Sequence, residues 1–449
     1  MLPPLRHVSR LVAIGFASGL LAGCPDFLQG RPIGPGGSGP GGSGTGGATG
    51  GGAAAGGNAG ASGPGGAGGD GGAAPQYDGP PLEPSGQGDS LAFGAAVAID
   101  ESTGIPTLLV GAHREDATAS GSGAAYVFVR GPNGWAEQQK LTPDDAAAGD
   151  SFGEGVALHG DTAVVGAPGA EAAYVFVRSG TTWSQQAKLS TQDTGAWHPG
   201  DRVALHGDVA IVSDTLYFVP GTGKVGAAYV FVRNGDQWSE ETTLLGLDGA
   251  DGDNFAWSLA FDGVTLVAGV PFSDGPSVDA GSAMVFRRSG SQWTGPTKLL
   301  PPTSYNDDQF GFAVAVDGDT LVVGESRRDV AGTSSGAAHV FHRDGGGAWS
   351  HQAMLAPRSG AALDYFGQGV AIRGDLVAGG APGVDGLTDV NLGAAYLFER
   401  SSSTWSATLT FAPDGPTEED LGRAVTASAS YLAIGAPRGR GKVYVWRAE

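Results

Sequence analysis

The sequence predicts an all-β protein, a seven-bladed β-propeller preceded by a disordered glycine-rich linker. A unit of about fifty residues recurs along most of the chain, and repetition at this period is typical of propellers and solenoids. Within each unit, short alternating apolar runs are joined by glycine turns. The repeated part shows no sustained helical period of apolar residues. These three observations together favour four-stranded blades.

Residues 1–23 have the pattern of a bacterial lipoprotein signal peptide. Two arginines precede an apolar run over residues 11–21, which is short for a membrane-spanning helix. The run ends in Leu-Ala-Gly-Cys24, which resembles a lipobox. The resemblance implies cleavage before Cys24 and acylation of this cysteine, and a chance cysteine after an ordinary signal peptide is the alternative. Cys24 is the only cysteine of the chain, which excludes intrachain disulfides and cysteine-based metal sites.

Residues 24–76 are the predicted tether. Between residues 30 and 75 nearly every residue is Gly, Ala, Ser or Pro, and Arg31 and Asp70 are the only charges. Such a segment cannot bury enough apolar surface to offset its ordering entropy, so we expect disorder. The formal net charge of −21 excludes nucleic acid as a partner and disfavours anionic head groups. The membrane is therefore expected to be reached through the lipid anchor.

Residues 77–449 form the predicted propeller. Most units begin with Phe-Gly, reach a Gly-Ala-Pro equivalent about 14 to 18 residues later, and continue with a Gly-Ala-Ala-Tyr-Val-Phe-like run and a Trp. The seven repeats are expected at approximately 88–148, 149–198, 199–250, 251–306, 307–362, 363–417 and 418–449.

One unit illustrates the four predicted strands. "FGEGVALHGDTAVVGAP", residues 152–168, contains two apolar runs around the turn at residues 159–161. The run at residues 174–177 is β-branched and aromatic, as in a buried strand, whereas residues 181–189 are more polar and suit an outer strand. Phe152 is expected to fill the space between blades.

Two units depart from the pattern. The third keeps "VALHGDVAIV" but has lost both Phe-Gly and Gly-Ala-Pro, so its blade is expected to be irregular. The seventh ends straight after its third strand. The segment before Gly88, "YDGPPLEPSG", is the expected donor of the missing edge strand, and a three-stranded last blade is the alternative.

These units resemble FG-GAP repeats, which form a seven-bladed propeller in the heads of integrin α-subunits and also occur in bacterial secreted proteins and lipoproteins. The resemblance covers residues 88–449. It implies that ligands bind on the face that carries the loops after Gly-Ala-Pro and between blades, here called the loop face.

The loop face holds the candidate ligand residues, because variable loops on a regular scaffold usually carry binding. Ordinary solvated loops are the alternative. The polar and aromatic candidates are His113, Arg114, Asp116, Trp197, His198, Asp274, Asp279, Arg327, Arg328 and Asp329.

Calcium binding is left open by the acidic loops. The short hairpins have no room for the D-x-D-x-D-G loop of some FG-GAP relatives, and six or more oxygens must converge on the ion. An Asp that opens a turn more often caps backbone N–H groups. The first candidates are Asp248, Asp251, Asp253, Asp385, Asp389 and Asn391.

Several short motifs are better explained by the repeats than by chemistry. "GDSL" at 88–91 lacks the D-x-x-H of the hydrolases that carry it. "GDSFG" at 149–153 and "GTSSG" at 332–336 lack the strand-to-helix elbow that G-x-S-x-G requires. The Arg-Gly-Asp at 373–375 occupies the slot of a hairpin turn. We therefore expect no catalytic activity and no adhesive role for that tripeptide.

The sequence as a whole predicts an exported lipoprotein anchored to the bacterial cell envelope, at the outer membrane with surface or periplasmic exposure. Its expected work is non-catalytic recognition of, or adhesion to, an unidentified protein or glycan. A scaffold subunit of an envelope complex and a hydrolase with its site in the variable loops are the alternatives.

Overall fold

Short β-strands dominate the structure, as the alternating apolar runs predict. The predicted signal peptide, Cys24 and the tether lie outside the residues that the structure describes, as do Asp248 and Asp389. Within the described part, no helix is long and apolar enough to cross a bilayer. The computed structural model describes residues 77–86, 91–193, 195–246, 249–385, 391–413 and 419–447, all within the unit Gly68–Glu449.

The strands pair into antiparallel sheets, one for each blade. Blade 1 contains β1 (Val97–Asp100), β2 (Thr107–Ala112), β3 (Ala124–Gly131) and β4 (Gly134–Leu141). Blade 2 contains β5 (Val156–His159), β6 (Thr162–Ala167), β7 (Ala172–Ser179) and β8 (Thr182–Leu189). Blade 3 contains β9 (Val203–His206), β10 (Val209–Asp214), β13 (Ala227–Asn234) and β14 (Gln237–Leu245), with an added hairpin of β11 (Phe218–Val219) and β12 (Gly223–Lys224).

The remaining sheets follow the same order. Blade 4 contains β15 (Ser258–Phe261), β16 (Thr265–Val270), β17 (Ser282–Ser289) and β18 (Gln292–Leu299). Blade 5 contains β19 (Phe310–Asp317), β20 (Thr320–Glu325), β21 (Ala337–Arg343) and β22 (Trp349–Leu355). Blade 6 contains β23 (Gly369–Arg373), β24 (Leu376–Ala381), β25 (Ala394–Ser401) and β26 (Thr404–Phe411). Blade 7 contains β27 (Ala424–Ala427), β28 (Tyr431–Ala436) and β29 (Lys442–Arg447).

The blades form a closed ring, which confirms the predicted seven-bladed propeller. The first strands are innermost, and each contacts the first strand of the next blade, including β27 with β1. The second strands are entirely or almost entirely buried, which explains their continuous apolar runs. The fourth strands alternate between exposed and partly buried side chains, so they form the outer edge.

The Phe of each Phe-Gly fills the seam between blades, as predicted. Phe152 is fully buried, and its backbone pairs with Gly123 of blade 1. Its ring packs edge-on against Tyr174 and Phe176 of its own blade, with ring centroids 5.8 and 5.9 Å away. Side chains of both blades join it in one apolar cluster. The Phe is therefore a structural residue.

The Gly of Gly-Ala-Pro is required by the close approach of the next blade. A Cβ on Gly166 would lie 2.0 Å from the carbonyl oxygen of Gly200, so only glycine fits. Gly200 takes the place of the missing Phe-Gly glycine in blade 3, and its N–H donates to Ser213 O at 2.8 Å. Gly153 makes the same bond to Gly166 O in blade 2 at 2.9 Å. Blade 3 thus keeps the backbone arrangement although its motif is lost.

The segment before Gly88 closes the ring, as predicted. Asp78 N–H donates to Val445 O at 2.7 Å, and Leu82 N–H donates to Val443 O at 2.8 Å. Val443 N–H donates back to Leu82 O at 3.0 Å. The N-terminal segment therefore lies along the outer side of β29 as an antiparallel edge.

Candidate functional site

The centre of the loop face is formed by the residues that stand just before the innermost strands. These residues follow Phe-Gly or its equivalent, where the repeats disagree in sequence. Because the first strands crowd around the axis, their leading side chains converge from several blades. They are Glu154, Arg202, Trp257, Phe312, Gln368 and Arg423.

Charged side chains from four blades meet there, in a group here called the mouth cluster: His113, Arg114, Glu154, Arg202 and Arg423. His113 Nε2 lies 3.3 Å from Glu154 Oε2, and Arg202 Nη1 donates to Glu154 Oε1 at 3.3 Å. Arg423 of blade 7 acts electrostatically on both Glu154 and His113. The guanidinium groups of Arg202 and Arg423 therefore act on one carboxylate, that of Glu154.

The protonation of the mouth cluster follows from its surroundings. Burial lowers the pKa of His113 and outweighs the attraction of Glu154, so the imidazole is neutral at pH 7. Burial opposes ionisation of Glu154, but the neighbouring positive charges outweigh it and hold its pKa below the usual value. With a neutral imidazole, Arg202 is the cation that pairs with Glu154.

Beside the charges lies an aromatic group from blades 4 and 5. The Trp257 ring centroid is 5.3 Å from that of Phe272 at an interplanar angle of 88°, and 5.7 Å from that of Phe312. All three side chains are partly exposed. Exposed aromatic rings next to arginines are typical of recognition surfaces for proteins and glycans.

Three of the predicted ligand residues stabilise loops. Asp116 Oδ1 accepts from Gly121 N–H at 2.6 Å, and Asp329 Oδ1 accepts from Ser334 N–H at 2.7 Å. Asp274 accepts from the N–H of Asp279 in the same way, at 3.1 Å. In all three blades the Asp stands five residues before the N–H from which it accepts. This spacing is a sequence pattern from which a loop cap can be predicted.

Arg328 also has a structural role. Its Nη1 donates to the buried Asp308 at 2.7 Å, and its guanidinium lies 4.4 Å from the centroid of the Tyr305 ring. The neighbouring Arg327 is partly buried and donates its backbone N–H to Asp308 O at 3.3 Å. Neither residue joins the mouth cluster in any contact that the structure describes.

Trp197 and His198 lie on blade 3. Their described contacts do not include His113 or Arg114. Trp197 N–H donates to Asp214 Oδ2 at 2.7 Å, while 49% of the Trp197 residue is exposed. Lys224 Nζ lies 5.0 Å from its ring centroid. His198 Nδ1 is buried with no partner in the described part of the chain. The added hairpin of blade 3 thus supports an exposed aromatic residue on the loop face.

The described acidic candidates for calcium act as caps or pair through the backbone. Asp251 Oδ1 accepts from Lys224 N–H at 2.8 Å, and Asp253 Oδ2 accepts from Ala250 N–H at 2.9 Å. Asp385 and Asn391 pair through the backbone. In the part of the chain that is described, no three His, Cys, Asp or Glu side chains converge on a metal position. The carboxylates two positions before Phe cap the N–H three residues back, as in Asp150–Ala147, Asp308–Tyr305 and Asp364–Ala361.

The serines of the G-x-S-x-G matches lie in loops. Ser151 and Ser334 both have left-handed backbone, with φ of 56° and 52°, and each is followed by a strand pairing rather than by a helix. Residues 88–90 of "GDSL" lie outside the described residues.

A row of Glu325, His339 and His351 in blade 5 was not predicted from the sequence. Glu325 Oε2 and His339 Nε2 are 2.8 Å apart, and His339 Nδ1 and His351 Nε2 are 3.0 Å apart. Burial raises the pKa of Glu325 to about 8 and lowers that of His339 to about 4, so the pair is neutral at pH 7. Glu325 replaces the Ala of Gly-Ala-Pro, and His339 replaces the Tyr of the third strand. These two departures from the repeat are the sequence signal from which the row could have been predicted.

Comparisons with known proteins agree with the fold. No curated protein matches the chain. The structure of Kuenenia stuttgartiensis hydrazine synthase is similar, with a TM-score of 0.52 and 11% identity over 81% of this chain and 98% of that chain. At this identity the likeness shows the fold alone. A family model described as "FG-GAP repeat" matches residues 82–128, 135–176, 238–286, 293–341 and 349–398.

Proposed function

The chain belongs to the FG-GAP repeat family, and on that premise we propose that it is a non-catalytic recognition protein of the bacterial cell envelope. The repeat propeller supports a recognition or scaffold role in general. The finer proposal is that the centre of the loop face binds an acidic group on a protein or glycan.

The mouth cluster is the observation that carries this proposal. Arg202 pairs with Glu154, with 3.3 Å between Nη1 and Oε1, and the exposed Arg423 is a second guanidinium that acts on the same carboxylate. An incoming carboxylate or sulfate would meet guanidinium donors, which bind oxyanions through charge-assisted hydrogen bonds. Trp257 and Phe312 would supply apolar contact beside them.

Anchoring at the envelope is the second part of the proposal. The lipobox-like Leu-Ala-Gly-Cys24 supports acylation, and the glycine-rich tether of residues 24–76 would let the propeller reach ligands away from the membrane. The strongly acidic chain disfavours direct contact with anionic lipid, which leaves the lipid as the attachment.

A crosslinking pull-down from envelope fractions tests recognition. The full-length protein is compared with the double variant Arg202→Ala/Arg423→Ala, and Arg373→Ala on the opposite face serves as the matched control. We expect one specific partner with the wild type and the control, and at least about tenfold less with the double variant. Equal recovery with all three proteins would contradict the proposed site. Parallel samples with calcium and with chelator test the metal requirement.

The scaffold alternative predicts a different result in the same experiment. Envelope proteins would then co-purify without crosslinking, and their recovery would be unchanged by the double variant. A structural interface is larger and more apolar than the mouth cluster, so two arginines would contribute little to it.

A further inference from the structure

A hydrogen bond between neighbouring blades recurs on the face opposite the loop face. The Thr that opens a second strand accepts from the Nη1 of the Arg that ends the third strand of the next blade. The guanidinium also pairs with the Asp of its own hairpin turn. The Arg-to-Thr bonds are Arg178–Thr107 at 3.0 Å, Arg233–Thr162 at 3.1 Å and Arg400–Thr320 at 3.1 Å.

The seam between blades 4 and 5 lacks this bond although both residues are present. Thr265 is only 1% exposed, and its Oγ1 has no hydrogen-bond partner among the residues that the structure describes. Arg343 donates from Nε to Asp319 Oδ1 at 2.8 Å, as its counterparts do, but its Nη1 reaches no acceptor among the described residues. A buried hydroxyl without a partner costs free energy, so its persistence calls for a reason.

A substitution on β17 accompanies the missing bond. Arg287 stands directly opposite Thr265 in the sheet, where blades 1 and 2 have Val129 and Val177. Opposite residues of an antiparallel pair project to the same side of the sheet, and Thr265, Arg287 and Arg343 all line one cleft between blades 4 and 5.

The outer strands of blades 4 and 5 also lack a hydrogen bond that other seams have. In other seams a Trp Nε1–H donates to a Gln of the preceding blade, as Trp183 does to Gln138 and Trp405 does to Gln352, both at 2.9 Å. On β18 the corresponding position is Pro296, which has no side-chain acceptor for Trp349. The outer strands of blades 4 and 5 are consequently not joined by a Trp-to-Gln hydrogen bond.

A cleft of about 170 Å³ results between the two blades. No acidic side chain lines it, in a chain with 46 acidic residues. The apolar wall comes from Val285, Phe286 and Trp349. Its polar lining consists of Thr265, Arg287, Thr294, Thr297 and Arg343.

We propose that this cleft binds the carboxylate of a small organic acid. Arg287 has no ion-pair partner among the described residues, whereas Arg343 is already partly neutralised by Asp319. The cleft therefore offers about one uncompensated positive charge, which matches a monoanion better than a phosphate dianion. The Thr265 hydroxyl would donate to the anion, and Trp349 would contact its carbon skeleton. The volume is below the range of roughly 300–1,000 Å³ for drug-sized ligands, so a single sugar acid is a suitable size.

Isothermal titration calorimetry of the full-length protein with sodium glucuronate tests the proposal, and glucose and inorganic phosphate are the comparison ligands. We expect glucuronate to bind, and glucose and phosphate to bind at least about tenfold more weakly. Thr265→Val and Arg287→Ala should each weaken glucuronate binding at least about tenfold.

Thr162→Val is the matched control, because its hydroxyl is already bonded to Arg233. It should lower the melting temperature and leave glucuronate binding unchanged. Thr265→Val should not lower the melting temperature, since it removes an unpartnered hydroxyl, and this separates loss of binding from loss of folding. Absence of glucuronate binding, equal binding of glucose or phosphate, or full binding by both cleft variants would overturn the proposal.

Discussion

The guanidinium of Arg400 donates from Nε to Oδ1 of Asp375 at 2.7 Å, across the hairpin of blade 6. Asp375 is the last residue of the Arg-Gly-Asp tripeptide, and the same pairing joins Arg178 to Asp161 and Arg233 to Asp208. Gly374 has φ of +58°, as the turn between two strands requires. The tripeptide is therefore the repeat's hairpin turn, with its carboxylate used in the scaffold.

Arg400→Ala is expected to destabilise the protein by about 1–2 kcal/mol. It removes the pair with Asp375, the bond to Thr320 and the contact of the guanidinium with the Trp405 ring, 5.3 Å from its centroid. Arg373→Ala is the control. Arg373 is half exposed and pairs only with Asp317 at 3.3 Å, so urea denaturation should show a loss below about 0.5 kcal/mol. Equal losses would contradict the scaffold role of Arg400.

Gly166→Ala is expected to cost at least about 2 kcal/mol, because its Cβ would overlap the carbonyl oxygen of Gly200 in the next blade. Gly345→Ala is the matched control, since a Cβ there meets no atom within 4 Å and its φ is not positive. The control should keep or raise the melting temperature, because alanine restricts the unfolded chain. A melting temperature of Gly166→Ala equal to that of the wild type would refute the predicted close approach.

Asp78→Asn should weaken closure of the ring. Asp78 accepts from Arg130 Nε at 2.7 Å and from Trp135 Nε1 at 3.0 Å, and the hydrogen bonds from Arg130 lower its pKa against the opposing effect of burial. Because its folded-state pKa is lowered, the Asp78 carboxylate stabilises the folded protein above about pH 4. This contribution to stability is lost as the pH falls through the folded-state pKa.

The variant should therefore lose about 1–2 kcal/mol at pH 7 and show a shallower fall in stability as the pH falls below about 4. Glu83→Gln, an exposed change in the same segment, is the control for a general effect of charge. Chemical denaturation at a series of pH values gives both results, and parallel profiles for all three proteins would exclude this role for Asp78.

Glu325→Gln is expected to stabilise the protein more at pH 8 than at pH 5. Burial raises the folded-state pKa of Glu325 to about 8, so the folded protein keeps a proton that the unfolded chain releases above its ordinary pKa of 4.5. The contribution of this residue to stability consequently falls as the pH rises from about 4.5 to 8. The Gln side chain of the variant has the same shape and does not ionise, so the variant does not lose stability in this way as the pH rises. Thermal melts across this range check it, with the exposed Glu399→Gln expected to leave the profile unchanged.

Cys24→Ala should abolish lipid attachment, because no other cysteine is present in the chain. Cells that express the wild type should incorporate labelled palmitate into the protein, and cells that express the variant should not. Label that persists in the variant would disprove acylation at Cys24. Asp26→Ala is a neighbouring change that should keep the label and controls for expression.

Much of the fold follows from residues close together in sequence. Local turn geometry and the two-residue period of a strand set the hairpin glycines, the buried second strands and the more polar fourth strands. Phe-Gly or a close equivalent begins six of the seven units, so Phe152 and its counterparts could be assigned to the blade seam. Asp116 and Asp329 accept backbone hydrogen bonds within their loops, which the sequence alone does not show because a cap and a ligand use the same side chain.

The sequence alone determined the repeat and the four-stranded blade, and it left the last blade with either a donated edge strand or three strands. Only the tertiary structure decided that Glu154, Arg202 and Arg423 meet, since they belong to blades 2, 3 and 7 and converge only when the ring is closed. It also decided that the Thr265 hydroxyl and Arg343 do not meet, since these residues belong to blades 4 and 5 and their distance depends on how the two blades pack. Local patterns are set by backbone geometry, whereas contacts across the ring depend on the number and closure of the blades.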